Sequence, residues 1–113
     1  MLDETRPDDV VFATLTSCGI AGTKGAWPFK KEPPLPWFVY RHKKKGEVYA
    51  DDRNYAKMQR YEVDLYQSEQ DDDQRDAFEE VLGVLGPYAC YESWTPMENC
   101  WVTAYTLTYH PNN

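Results

Sequence analysis

Chemistry in this 113-residue chain could only come from a few side chains: His42, His110, Cys18, Cys90, Cys100, a serine beside Cys18, and the run Asp71-Asp72-Asp73. Neither histidine has a cysteine or carboxylate at a spacing that would close a metal site. Ser17-Cys18-Gly19 offers a nucleophile, but no general base is linked to it in sequence. The aspartate run lacks the alternating ligands and distal glutamate of a calcium loop, and the start of a helix explains it better. Gly19, Gly22 and Gly25 lack the strand–glycine-rich turn–helix context and the Gly-Lys-Ser/Thr ending of a phosphate loop. No catalytic, metal or cofactor-binding residue is assigned, and the chain reads as non-enzymatic. The stronger signal is Arg41, His42, Lys43, Lys44 and Lys45. Such a run suits contact with phosphate or an acidic protein surface, and equally the protection of an exposed sheet edge.

Charge is unevenly placed. The net charge is −7, the wrong sign for simple nucleic-acid binding. Ten of the twelve basic residues fall between Lys24 and Arg60, whereas Glu62 to Glu98 holds eleven acidic residues and only Arg75 as a base. A chain polarised in this way could pair head to tail with copies of itself, although a solvated surface is the simpler reading. No apolar run approaches the ~20 residues that span a bilayer, so no membrane partner is expected. The acidic start MLDETRPDD is unlike a secretory leader, and the expected compartment is the cytosol. Three cysteines without a zinc spacing read as buried thiols. Nine tyrosines and four tryptophans exceed what so small a core should hide, which points some of them to an interface.

The elements that position these groups follow from periodicity. In residues 58–66, Tyr61, Val63 and Leu65 alternate with Arg60, Glu62, Asp64 and Tyr66, the pattern of a strand with one buried face. Ala77, Phe78, Val81, Leu82 and Leu85 then recur at three- and four-residue spacing on one helical stripe. Ser68 and Asp71 to Asp73 suit its N-terminus, and Gly86-Pro87 suits its end. The helix is expected to fold back so that Phe78, Val81, Leu82 and Leu85 pack on Tyr61, Val63 and Leu65. Residues 1–7 read as a flexible arm, and 8–18 as a short helix with Val11, Phe12, Leu15 and Cys18 on one side. Residues 20–36 read as a Pro/Gly-rich connection in which AWPF could pair at a sheet edge. WFVYRH, a KKKG turn and EVYADD lead into the long strand from residue 53. Residues 88–94 and 100–109 form two last strands around a TPMEN turn. The result is a single α+β domain, an antiparallel sheet with helices packed on one face, in the order α-β-β-β-α-β-β.

Four strings, in this order, resemble the small tail-completion or tail-terminator proteins of long-tailed bacteriophages and prophages, in the minor-tail and head–tail joining group. They are PPLPWFVYRH, VYADDRNYAKM, YEVDLYQSEQDDDQRDAFEEVL and the ending YESWTPMENCWVTAYTLTYH, together covering roughly residues 8–110. The third is the most specific: a YxVxLY strand, an acidic turn and an amphipathic helix. The resemblance implies a virion structural protein, found in the host cytoplasm during assembly, that caps the tail tube and joins it to the head. It implies a hexameric ring around the DNA channel, with tail-tube and head-connector proteins as partners, no cofactor and no sequence-specific contact to DNA. Candidate assembly contacts are Arg41, Lys43, Lys44 and Lys45 against Asp71, Asp72, Asp73 and Asp76. The competing expectation is a small acidic monomer that binds another protein, such as a host-protein inhibitor.

Overall fold

The structure, a computed structural model, describes residues 7–28, 30–43, 59–95 and 100–109. Seven elements appear: α1 (Pro7–Thr16), β1 (Ala21–Lys24), β2 (Trp37–His42), β3 (Gln59–Gln67), α2 (Asp72–Leu85), β4 (Tyr88–Thr95) and β5 (Cys100–Tyr109). The α+β class and the order α-β-β-β-α-β-β are those expected. The five strands lie in the sheet order β1-β2-β3-β5-β4.

Two features of the sheet differ from expectation. It is mixed rather than wholly antiparallel, because β1 runs parallel to β2, with Ala21 opposite Trp37 and Lys24 opposite Tyr40. The connection between them spans about a dozen residues, enough to carry the chain back to the starting end as a parallel pair requires. The second difference follows from the first: Ala21–Lys24 is a strand inside the stretch read as irregular connection. The predicted strand 47–52, the KKKG turn beyond Lys43, residues 53–58 of the long strand, the TPMEN turn beyond Thr95, residues 1–6 of the arm and His110 lie outside the described residues, whereas Pro7, read as the end of the arm, begins α1.

Alternation builds the core. Phe38 and Tyr40 of β2, Tyr61, Val63 and Leu65 of β3, and Tyr105, Leu107 and Tyr109 of β5 share one face, where they meet Val11 and Leu15 of α1 and Phe78, Leu82 and Leu85 of α2. Both helices cover this face; α1 lies against β1, α2 lies against β5, and the two helices touch. Phe78 bridges the sheet, its ring 5.3 Å from that of Phe38 and 5.7 Å from that of Tyr105. Val81 is only partly buried and Ala77 is exposed, so the helical stripe is narrower than the sequence suggested. Of the seven tyrosines among the described residues, Tyr40, Tyr61, Tyr105 and Tyr109 are core residues. Among the described residues, Phe12, Val84, Tyr91 and Trp94 are exposed large apolar side chains.

The α2 ends explain themselves. Asp71 is the N-cap, and its carboxylate accepts from the Gln74 N–H at 3.0 Å. Gln67, buried at the end of β3, donates to the Asp71 carbonyl and to Gln74 Oε1, which locks the strand end to the first helical turn. Gly86 closes the helix in an extended conformation (φ 154°, ψ −177°) that favours glycine, not in the left-handed conformation common at helix ends.

Candidate assembly surface

The predicted contact residues that are described divide between the two faces of the sheet. Arg41 projects from the helix-free face of β2, where its guanidinium meets Asp64 at 3.0 Å and Glu62 at 3.6 Å on the neighbouring strand. The hydrogen bond that Arg41 donates to Asp64 is the main reason its pKa is raised. Lys43 reaches Glu62 at 3.2 Å. These bases therefore serve their own subunit as cross-strand pairs. Lys44 and Lys45 lie outside the described residues.

The acidic candidates stand on the other side. Asp71 is consumed as the helix cap and Asp72 pairs with Arg75 at 3.2 Å. Asp73 and Asp76 are exposed on α2. No ion pair among the described residues joins this acidic group to Arg41 or Lys43, so the two sets are separated within one subunit.

Two polar clusters escaped sequence reading. In the first, the Tyr61 hydroxyl donates to Asp8 Oδ1 at 2.5 Å, and Lys24 pairs with the same carboxylate. The His42 ring stacks on Tyr61 at 4.7 Å, with Nδ1 3.9 Å from Asp8 and Nε2 2.7 Å from Gln59 Oε1. Burial opposes the Asp8 charge, but Lys24, the Tyr61 hydroxyl and His42 outweigh it, and the carboxyl titrates below its usual range. Burial and the Asp8 carboxylate push the Tyr61 hydroxyl far above its ordinary value. In the second cluster, the Tyr105 hydroxyl donates to Glu79 at 2.8 Å, while Arg75 joins Glu92 of β4 at 2.9 Å and Glu79 at 3.9 Å. Each cluster ties one helix to the sheet through a tyrosine. No periodicity marks such a contact, because it depends on residues 53 and 26 positions apart.

Among the described residues, one end of the helix-free face is covered. There the β1–β2 connection brings Trp27 edge-on against Trp37, which stacks on Tyr66 at 4.3 Å. A depression of about 230 Å³ beside them is lined by Glu32, Leu35, Trp37 and Cys100. A second, of about 340 Å³, is lined by Arg60, Pro87, Tyr88, Ala89, Thr106 and Thr108. Neither includes a predicted contact residue. Ala89, Tyr91, Ala104 and Thr106 leave the β4–β5 half of this face exposed. None of the three cysteines forms a disulfide: Cys100 is buried as expected, Cys18 is half-buried, and Cys90, against the expectation of a buried thiol, is exposed on the edge strand β4. Among the described residues no group of three or more His, Cys, Asp or Glu side chains could hold a metal ion, and no helix is long and apolar enough to cross a membrane. No protein-family model, curated protein or solved structure matches the chain.

Proposed function

We propose that this chain is a structural protein of a long-tailed phage or prophage particle, one that completes the tail tube and joins it to the head as a ring around the DNA channel. The observation that carries the proposal is the one-sided architecture. Among the described residues, both helices cover one face of a five-stranded sheet and none packs over the β4–β5 half of the opposite face, where Tyr91 is 73% exposed. A surface of that kind suits burial against neighbours. The segregation of Arg41 and Lys43 from Asp73 and Asp76 supports a heterologous contact, in which one surface meets a different surface of the next subunit. The ordered strings that resemble tail-completion proteins supply the assignment to the tail.

The test is location and loss. Particles purified from a phage encoding a tagged copy should carry the tag at the head–tail junction by immuno-electron microscopy. Deleting the coding sequence should yield separate heads and tails that rejoin when purified protein is added. A chain absent from particles, with heads and tails joined normally in the deletion, overturns the proposal and favours a monomeric binding module.

A further inference from the structure

Among the described residues β4 is an edge strand whose one charged side chain, Glu92, is paired with Arg75 of its own subunit. It is eight residues long and pairs continuously with β5 from Tyr88↔Leu107 to Thr95↔Cys100, without a bulge, lysine or proline. Edge strands of that kind are templates for another strand. The opposite edge, β1, has only four residues and ends in Lys24.

Hydrogen-bond parity fixes which groups β4 offers. Thr108 N–H donates to the Pro87 carbonyl at 3.0 Å. Directly bonded pairs recur at every second residue of an antiparallel ladder, so Ala89, Tyr91, Ser93 and Thr95 turn their backbone groups toward β5. Tyr88, Cys90, Glu92 and Trp94 turn theirs outward, and among the described residues no strand lies there.

We infer that this edge pairs with the β4 edge of a second copy, antiparallel about a two-fold axis through Tyr91. Self-complementarity selects both occupant and register. Centring on Tyr91 sets Trp94 opposite the partner's Tyr88 and Glu92 opposite the partner's Cys90, and every outward N–H and C=O gains a partner. Tyr91 meets the partner's Tyr91 on the open face, at a non-hydrogen-bonded position where side chains come closest. Centring on Glu92 instead sets two carboxylates directly opposite, which is unfavourable. Centring on Cys90 leaves Trp94 beyond the partner's strand. An axis perpendicular to the sheet keeps all helices on one side. Since α2 lies over β5, the two α2 helices are three strand spacings apart, about 14 Å, wider than the ~8–10 Å of packed helices, so they do not collide. A single strand edge buries less than the ~1,200 Å² of stable complexes, so the pair forms at high protein concentration. This inference stands apart from the tail role, whose ring needs a heterologous contact.

Disulfide trapping tests the register. Across this axis the Tyr91 Cα atoms would be about 4.5 Å apart, within disulfide reach. In a Cys90→Ser background, Tyr91→Cys should crosslink to a dimer under mild oxidation. Ala89→Cys alone should stay monomeric, and Ala89→Cys with Ser93→Cys together should crosslink. Sedimentation of the unmodified chain at high salt, which screens its net charge, should show concentration-dependent dimerisation. Cys90→Pro removes an outward N–H without touching the β5 ladder, and it should weaken association about tenfold, through one hydrogen bond lost from each copy. Circular dichroism checks that this variant folds; if it does not, the trapping result decides. Failure of Tyr91→Cys to crosslink, or equal crosslinking by Ala89→Cys alone, overturns the inference.

Discussion

Tyr61 and Tyr105 show how single hydroxyls organise this molecule. Each lies in the core on a central strand and reaches a helix carboxylate, Asp8 of α1 or Glu79 of α2. The Asp8 contact makes stability depend on pH. Its carboxyl pKa is lowered in the fold, so its contribution is complete above the unfolded value of ~3.9 and is lost as pH falls through the folded value. Asp8→Asn should cost roughly 1–2 kcal/mol at neutral pH and distinctly less at an acid pH below the ordinary carboxylate range, as read by urea unfolding at both. Equal losses at the two pH values would assign Asp8 a packing role only. Gly22 is the other decisive residue. A Cβ there would lie 2.0 Å from the tip of the Phe38 ring, which is fully buried and has nowhere to go. Gly22→Ala should therefore destabilise by about 1–3 kcal/mol, and Phe38→Leu in the same chain should recover part of that loss in a double-mutant cycle. Additive effects would show that the ring moves aside freely.

At the scale of elements, what could be read from sequence was what is local. The change from period two to helical period places β3 and α2 correctly, and the cap Asp71 lies within the acidic turn before the helix. The spacing of Val11 and Leu15 likewise gives α1. β1 could not be read, because AGTK has neither the length nor the alternation of a strand and becomes one only by lying beside β2. The meaning of Gly22 was hidden for the same reason: it depends on Phe38, which faces it across that parallel pair. The clusters around Asp8 and Arg75 need the assembled sheet before their members meet. The α2 packing gives a direct test. Leu82 is fully buried between helix and sheet, so Leu82→Ala should cost about 2–5 kcal/mol. Val84 on the same helix is 77% exposed, and Val84→Ala should stay within about 0.5 kcal/mol. Similar losses for both would mean that α2 is rotated from the orientation described.

At the scale of the molecule, Arg41 and Lys43 lie apart from Asp73 and Asp76 among the described residues, but the two sets are not equal patches. Arg41 and Lys43 are engaged with Glu62 and Asp64 of their own subunit. Reversing Lys43 would set a glutamate beside Glu62, which confounds folding with assembly. The cleaner probe is the acidic side. Asp73 and Asp76 are exposed on α2, away from the Arg75 pairs with Asp72, Glu79 and Glu92. Asp73 also lies in the first helical turn, where losing its charge removes a favourable dipole interaction of about 0.3–1 kcal/mol. Asp73→Lys with Asp76→Lys should thus leave the monomer folded with a slightly lower melting temperature. Under the proposed tail role, the variant should join heads to tails more slowly than the parent. The deficit should be largest at low salt and fade as the Debye length shrinks to ~8 Å at physiological ionic strength, because charges of this kind steer encounter more than they hold the complex. Rejoining rates for the two proteins measured across a salt series decide the point: parallel curves would remove α2 from the assembly contact, whereas curves that converge at high salt would place its acidic face toward a neighbour.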